Sequence, residues 1–181
     1  MCIRDRWEGG RPLSNVVDVI NTCGVPAVYV TNNASRSPQA VAKMLADIGL
    51  TAGTEQIVTS AQAVLQLAAE EVPAGAKLLI IGADSLRDLA REMGFKVVSS
   101  ADDKPAAVVQ GFDRSVGWEH LTEGALAIRQ GAKFFASNLD TSLPIERGLA
   151  VGNGSLVAAI QSATGVAVSY THLRAHETVL D

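Results

Sequence analysis

The chain is poor in several of the features that mark functional classes. Cations are scarce: 15 Lys and Arg stand against 19 Asp and Glu, a net charge of −4. A nucleic-acid groove needs clustered Lys and Arg to meet phosphates, so that class is excluded. Long apolar runs are missing as well. The stretches around Val25–Val30 and Leu78–Ile81 are the length of a strand and far short of a membrane span. Residues 1–10 carry charges and glycines where a secretory leader would be apolar. The two cysteines, Cys2 and Cys23, offer neither a disulfide framework nor a metal-ligand spacing. Together these absences predict a protein of the reducing cytoplasm, with no nucleic-acid and no membrane partner. Internal repeats and low-complexity segments are absent too, and nothing sets an oligomeric state.

What is present is an alternation of short apolar runs with helical patterns. The chain's 181 residues suffice for one good core or two small ones, and 48% hydrophobic with 19% charged residues suits a globular α/β protein. Ala27–Val30 reads as a buried strand. Ser37 and Pro38 supply an N-cap and a first-turn proline for a helix with Val41, Met44, Leu45 and Ile48 on one face, closed by Gly49. A helix over Ser60–Glu71 follows, then a strand at Lys77–Ile81. Asp84 or Ser85 caps the next helix, which carries Leu86, Leu89 and Met93. Strands are expected at Phe95–Val98, Ala107–Val109 and Lys133–Ala136. Between the last two, Trp118, Leu121, Ala125 and Ile128 stripe a helix. Asn153–Thr164 is the final helix, with Leu156, Val157 and Ile160 inward and Gly165 at its end. Four-residue apolar strands separated by helices imply parallel sheets covered on both faces. Periodicity alone does not say whether there is one sheet or two.

Two stretches carry chemistry. Tyr29-Val30-Thr31-Asn32-Asn33-Ala34-Ser35-Arg36-Ser37-Pro38 takes a buried strand into a hydroxyl, two amides and a helix start. Ligands of parallel α/β sheets sit at the carboxyl ends of strands, and a phosphoryl group there needs hydroxyl and backbone N–H donors. Thr31, Asn32 and Asn33 fit that task. A plain turn, in which Asn and Ser bond their own backbone, serves the segment equally well. The second stretch runs from Ser137-Asn138-Leu139-Asp140 through Pro144–Leu149 to Gly152-Asn153-Gly154-Ser155. Its glycines permit tight turns and its Asn and Ser residues cap the last helix. Those roles explain each residue singly but not their order.

The order resembles the haloacid dehalogenase superfamily, in the subclass with a large α/β cap that includes p-nitrophenylphosphatases and N-acetylglucosamine-phosphate phosphatases. VTNNASRSP looks like that family's second motif, IVTSAQA at Ile57–Ala63 like its transition into the cap, and NLDTSLPIERGLAVGNGSLVAAIQSATG like the segment that closes the cap. The resemblance covers residues 7–167. It implies a partial Rossmann-like core (7–54 and 151–167) holding a large inserted α/β cap domain (55–150). It also implies Mg²⁺-dependent hydrolysis of a small phosphorylated substrate through an aspartyl-phosphate. Thr31, Asn32 and Asn33 would bind the phosphoryl group, and Asn138 and Asp140 would lie at the substrate or the cap–core junction, where a turn-forming role competes.

The sequence departs from the family pattern at its ends. Counting back from Trp7, the nucleophilic and acid–base aspartates would fall near Met1 and Ile3, and Asp5 is out of register. Residues 1–6 and 168–181 resemble translated sequencing-adapter read-through and stand where the first aspartates and the later lysine and metal-binding aspartates belong. The expectation is therefore a fragment of a sugar-phosphate or small-molecule phosphatase with no catalytic and no metal-ligating residue of its own, inactive as it stands. The alternative is a non-catalytic α/β ligand-binding or interaction domain. Other candidates weigh less. His172 and His176 have helical metal-ligand spacing without a third ligand, and His120 belongs to a solvated helix face. Gly152-x-Gly154 is no dinucleotide fingerprint. Cys23 reads as a small buried hydrophobe.

Overall fold

The structure is a computed structural model that describes residues 7–8, 11–12 and 16–170. Readings that concern Met1, Ile3, Asp5, His172, His176 and the segments 1–6 and 171–181 lie outside the described residues. The protein is α/β. In chain order, β1 (Trp7–Glu8) and β2 (Arg11–Pro12) form an antiparallel pair, followed by α1 (Val16–Thr22), β3 (Tyr29–Thr31) and α2 (Pro38–Asp47). Then come β4 (Ile57–Thr59), α3 (Ser60–Glu71), β5 (Lys77–Ile81), α4 (Asp84–Glu92), β6 (Lys96–Val98), β7 (Ala107–Gln110) and α5 (Trp118–Arg129). The chain continues through β8 (Lys133–Ala136), a hairpin of β9 (Ser142–Ile145) and β10 (Gly148–Val151), α6 (Asn153–Thr164) and β11 (Ser169–Tyr170).

Two parallel sheets answer the question that periodicity left open. The larger has the order β11-β8-β7-β5-β6, with every neighbouring pair parallel. Successive side chains of a strand point to opposite faces, so its apolar run fills two cores. Leu78 and Ile80 of β5 join Val109 and Phe135 under α3 and α4, where Val64, Leu65, Leu86 and Ala90 are buried. Leu79 and Ile81 join Val108 and Phe134 on the other face, under Ile128 of α5 and Val157 and Ile160 of α6. The smaller sheet is the parallel pair β3–β4, in which Tyr29 lies opposite Ile57 and Thr31 opposite Thr59. Its core is Tyr29, Val41, Leu45, Leu50 and Ile57.

Local chemistry sets the helix boundaries. The Ser37 side chain accepts from the Ala40 N–H ahead of Pro38, as expected. Thr59 and Gln62 form a reciprocal capping box that opens α3 at the end of β4. Gly165 closes α6 in a left-handed conformation at φ +72°.

Several expectations are corrected. The strand read at Ala27–Val30 is Tyr29–Thr31, because pairing with β4 begins at Tyr29 and the Ala27 carbonyl is taken by Gln56 Nε2. Neither Asp84 nor Ser85 caps α4: Ala83 is the N-cap, and Asp84 instead pairs with Arg87 at 3.0 Å. The inward face of α5 is Gly124, Ala127 and Ile128, whereas Trp118 is 78% exposed. Met44 and Met93 fall on exposed faces. Cys23 is exposed, its thiol donating to the Ile20 carbonyl. The segment 151–167, assigned from sequence to the partial core, places α6 beside α5 on the larger sheet, because Val157 and Ile160 find their apolar partners there. Residues 168–170, read as foreign to the fold, extend that sheet: Ser169–Tyr170 pair in parallel with Phe135–Ala136, and Val168 and Tyr170 pack on the same core.

One buried side chain stands out energetically. Gln110 is fully buried at the end of β7, and both atoms of its amide lack a partner among the described residues. An unsatisfied buried amide costs about 1–3 kcal/mol. Gln110→Leu is therefore expected to raise the urea-unfolding midpoint, while Leu65→Ala in the opposite core lowers stability by about 2–5 kcal/mol. A lower midpoint for Gln110→Leu would show that the amide is satisfied by a buried water.

Candidate functional site

The carboxyl ends of both sheets open on one cavity of about 660 Å³, within the range of small-molecule sites. On one side stands the turn that leaves β3, Thr31 to Arg36, backed by the apolar face of α2. On the other stand Phe112 and Arg114 from the loop after β7, Asn138 and Asp140 from the loop after β8, Ser142 and Leu143 of β9, and Gly152 and Asn153 at the start of α6. All five residues singled out from the sequence, Thr31, Asn32, Asn33, Asn138 and Asp140, line this cavity. They come from segments more than 100 residues apart and meet through hydrogen bonds.

Asn32 is the centre of that meeting. Its side-chain Nδ2 donates to Asp140 Oδ2 at 2.5 Å. Its carbonyl accepts from Ser60 Oγ at 2.9 Å and from Asn138 Nδ2 at 3.2 Å. Asn138 Oδ1 accepts from the Asp140 N–H, and the Asn138 carbonyl accepts from Asn153 Nδ2 at 2.8 Å. Asn32 thus ties together the turn after β3, the first residue of α3 and the loop after β8, and Asn138 carries the network on to the start of α6. Asn32 was expected to bind phosphate. The bond to Asp140 uses one of the two Nδ2 hydrogens, so Asn32 braces Asp140 while its second amide hydrogen stays available as a donor.

Thr31 and Asn33 offer further donors. Thr31 Oγ1 accepts the Asn33 N–H at 3.2 Å, and Asn33 Oδ1 accepts the Ser35 N–H at 2.8 Å. The self-bonding turn and the donor turn coexist, because each bond uses an acceptor. The Thr31 hydroxyl keeps its proton, and Asn33 keeps its amide hydrogens.

Sequence reasoning missed the part played by the hairpin and the glycines of Gly152-Asn153-Gly154. A Cβ on Gly152 would lie 2.3 Å from the Asp140 carbonyl oxygen, and one on Gly154 would lie 2.2 Å from that of Leu139. These glycines let α6 press its first turn against the loop after β8, where the Gly154 N–H donates to the Asp140 carbonyl at 2.8 Å. The N-cap of α6 is Gly152, and the Asn153 side chain reaches Asn138 in place of capping. Nearby, the Asp113 carboxylate accepts from the Ser115 hydroxyl and N–H, which hold it below the usual carboxylate range; burial opposes this, and the charges of Arg87 and His120 add to it. That turn keeps its ionised form above the usual aspartate range and loses the associated stability only as pH falls through the lowered value.

Metal chemistry does not fit the described residues. Among the described residues, Asp140 is the single carboxylate on the cavity wall, and no three His, Cys, Asp or Glu side chains are grouped to hold an ion. No step is routed through a metal here.

A junction centred on one amide is sensitive to charge. Asn32→Asp sets two carboxylates against each other, so one pKa rises in the folded state. A raised carboxylate pKa means that the folded protein binds more protons, and stability falls as pH rises. The variant is expected to be less stable than the parent at pH 7 and to recover toward pH 5 in urea unfolding. Asn32→Ala, which leaves Asp140 short of a donor, should cost about 1–3 kcal/mol with no such recovery.

With this geometry in view, similarity to known proteins is informative. A family model of haloacid dehalogenase-like hydrolases matches residues 7–96. The D-glycerol 3-phosphate phosphatase of Mycobacterium tuberculosis is 44% identical over 158 residues, which cover 87% of this chain and 45% of that protein. The acid sugar phosphatase of Staphylococcus saprophyticus is 37% identical over 150 residues, 83% of this chain and 57% of that one. The crystal structure of the M. tuberculosis glycerol phosphate phosphatase in complex with magnesium superposes with a TM-score of 0.88 at 42% identity, covering 91% of this chain and 50% of that one. The chain spans about half the length of the curated relatives it matches.

Proposed function

The chain belongs to the haloacid dehalogenase-like hydrolases, and from that premise we propose that it carries the phosphoryl-binding turn and the substrate cap of a phosphomonoester hydrolase acting on sugar phosphates or other small phosphorylated alcohols. The observation that carries this reading is the Asn32 junction, which sets the turn after β3 facing the loops of the larger sheet across one cavity. In this reading β3, α2 and β4 belong to the partial core. The larger sheet, with α3 to α6 around it, is the cap. Thr31 donates its hydroxyl proton to a phosphoryl oxygen, Asn33 adds an amide donor, and Asn32 and Asp140 hold the turn in place. Glycerol 3-phosphate and sugar phosphates are the substrate types of the named relatives, and a cavity with polar loops on one wall and Val41, Leu45 and Ile48 on the other suits a small polar alcohol.

The reading assigns this chain no turnover by itself. The family reaction uses a carboxylate nucleophile with a second carboxylate as acid and base, and among the described residues the cavity wall holds only Asp140, already bound to Asn32. Purified chain with Mg²⁺ is expected to release no more p-nitrophenol from p-nitrophenyl phosphate than a no-enzyme control, and turnover well above it would overturn the assignment. A chimera tests the turn directly. Residues 1–6 are replaced by a homologous first strand ending in Asp-x-Asp-Gly, and 168–181 by a homologous carboxyl-terminal core. That protein is expected to hydrolyse phosphomonoesters. Thr31→Val, which keeps shape and removes the donor, should lower its rate about a hundred- to a thousandfold, whereas Thr31→Ser stays close to the parent. A folded chimera in which Thr31→Val is as fast as Thr31 would reduce that residue to a strand end.

A further inference from the structure

Two cations stand on the cavity wall, Arg36 on the turn after β3 and Arg114 on the loop after β7. Their situations differ. Arg36 donates to Met44 Sδ of α2. Arg114 makes no side-chain hydrogen bond or ion pair among the described residues. Its neighbour Asp113 forms no ion pair with it among the described residues; the Asp113 carboxylate turns to Ser115, accepting its N–H at 2.8 Å and its hydroxyl at 2.6 Å. The carboxylate of the wall, Asp140, accepts from Asn32. Both cations keep unused donors, but Arg36 is drawn toward α2 by its contact with Met44, whereas no contact of this kind holds Arg114 among the described residues.

The position of Arg114 is set by the packing of its loop. Ser35 Oγ donates to the Phe112 carbonyl at 2.6 Å, which fastens the loop after β7 to the turn after β3. Gly111 lets that approach happen: a Cβ there would lie 3.0 Å from Leu86 Cδ2 and 3.3 Å from Ala34 Cβ. The loop is thus held against the phosphoryl-side turn two residues before Arg114, while Arg114 itself extends from the larger sheet. A guanidinium is a planar fork of donors suited to ligand oxygens.

We propose that Arg114 is a specificity-determining residue that binds acceptor oxygens on the alcohol portion of a phosphomonoester, selecting polyol or sugar phosphates over aryl phosphates. This rests on the reading that the turn after β3 binds the phosphoryl group, and it assigns the other end of the same ligand. Arg114 touches the part of the substrate that does not react. It acts on affinity and on choice of substrate.

The test is equilibrium binding to the full chain by calorimetry, with inorganic phosphate, glycerol 3-phosphate and p-nitrophenyl phosphate as probes, for the parent, Arg114→Ala, Arg114→Lys and Thr31→Val. Arg114 is exposed, so its variants should keep the parent's urea midpoint. Arg114→Ala is expected to weaken glycerol 3-phosphate about tenfold while leaving inorganic phosphate and p-nitrophenyl phosphate unchanged, with Arg114→Lys between parent and Ala. Thr31→Val should weaken all three probes, which reports on the phosphoryl turn alone. Equal weakening of all probes by Arg114→Ala would make Arg114 a general source of positive field and overturn its role in selection, as would unchanged glycerol 3-phosphate binding. Failure of the parent to bind inorganic phosphate would overturn the phosphoryl-turn reading first, and this inference with it.

Discussion

The structure turns on one peptide. Asn32 sits where β3 ends, and its carbonyl and side chain together take bonds from or give them to Ser60, Asn138 and Asp140. Removed from water, each of these polar groups would be costly without a partner. Satisfied by one another, they fix how the loops of two separate sheets face each other. The cavity exists because that junction holds its walls apart at a set distance. The buried hydroxyl of Ser60 and the almost buried amide of Asn138 show how far from solvent the junction lies.

The larger sheet supplies the rigidity behind it. Five parallel strands with apolar side chains on both faces, and helices covering each, leave little room for rearrangement. The loops at the carboxyl ends of β7 and β8 are short excursions from that frame. Gly152 and Gly154 then bring α6 into backbone contact with the loop after β8, so that a helix start, a hairpin and two loops close one wall. The smaller sheet is thinner, with a core of five buried residues. It depends on contact with the larger body at Ala34, Ser35 and Asn32 for the placement of its turn.

Among the described residues the cavity wall carries one carboxylate, Asp140, which accepts from Asn32. About half of each relative's length is matched. The described residues set a hydroxyl-bearing turn, side-chain amides and Arg114 around one cavity.

The sequence by itself determined the α/β class, most element positions and the family. Apolar runs of strand length, the Ser37-Pro38 start and Gly165 are local signals, and α2, β5, β8 and α6 fall where those signals put them. Thr31, Asn32, Asn33, Asn138 and Asp140, singled out because the order of their segments resembles a family, line one cavity. Tertiary structure alone decided the rest. It gave Asn32 to Asp140, since a hydrogen bond across 108 residues has no local signature. It chose Gly124, Ala127 and Ile128 over Trp118 as the inward face of α5, since several apolar stripes fit one helix and the neighbouring helix selects among them. It moved α6 onto the larger sheet and added Ser169–Tyr170 to its edge, because an apolar face records that it must be covered but not by what.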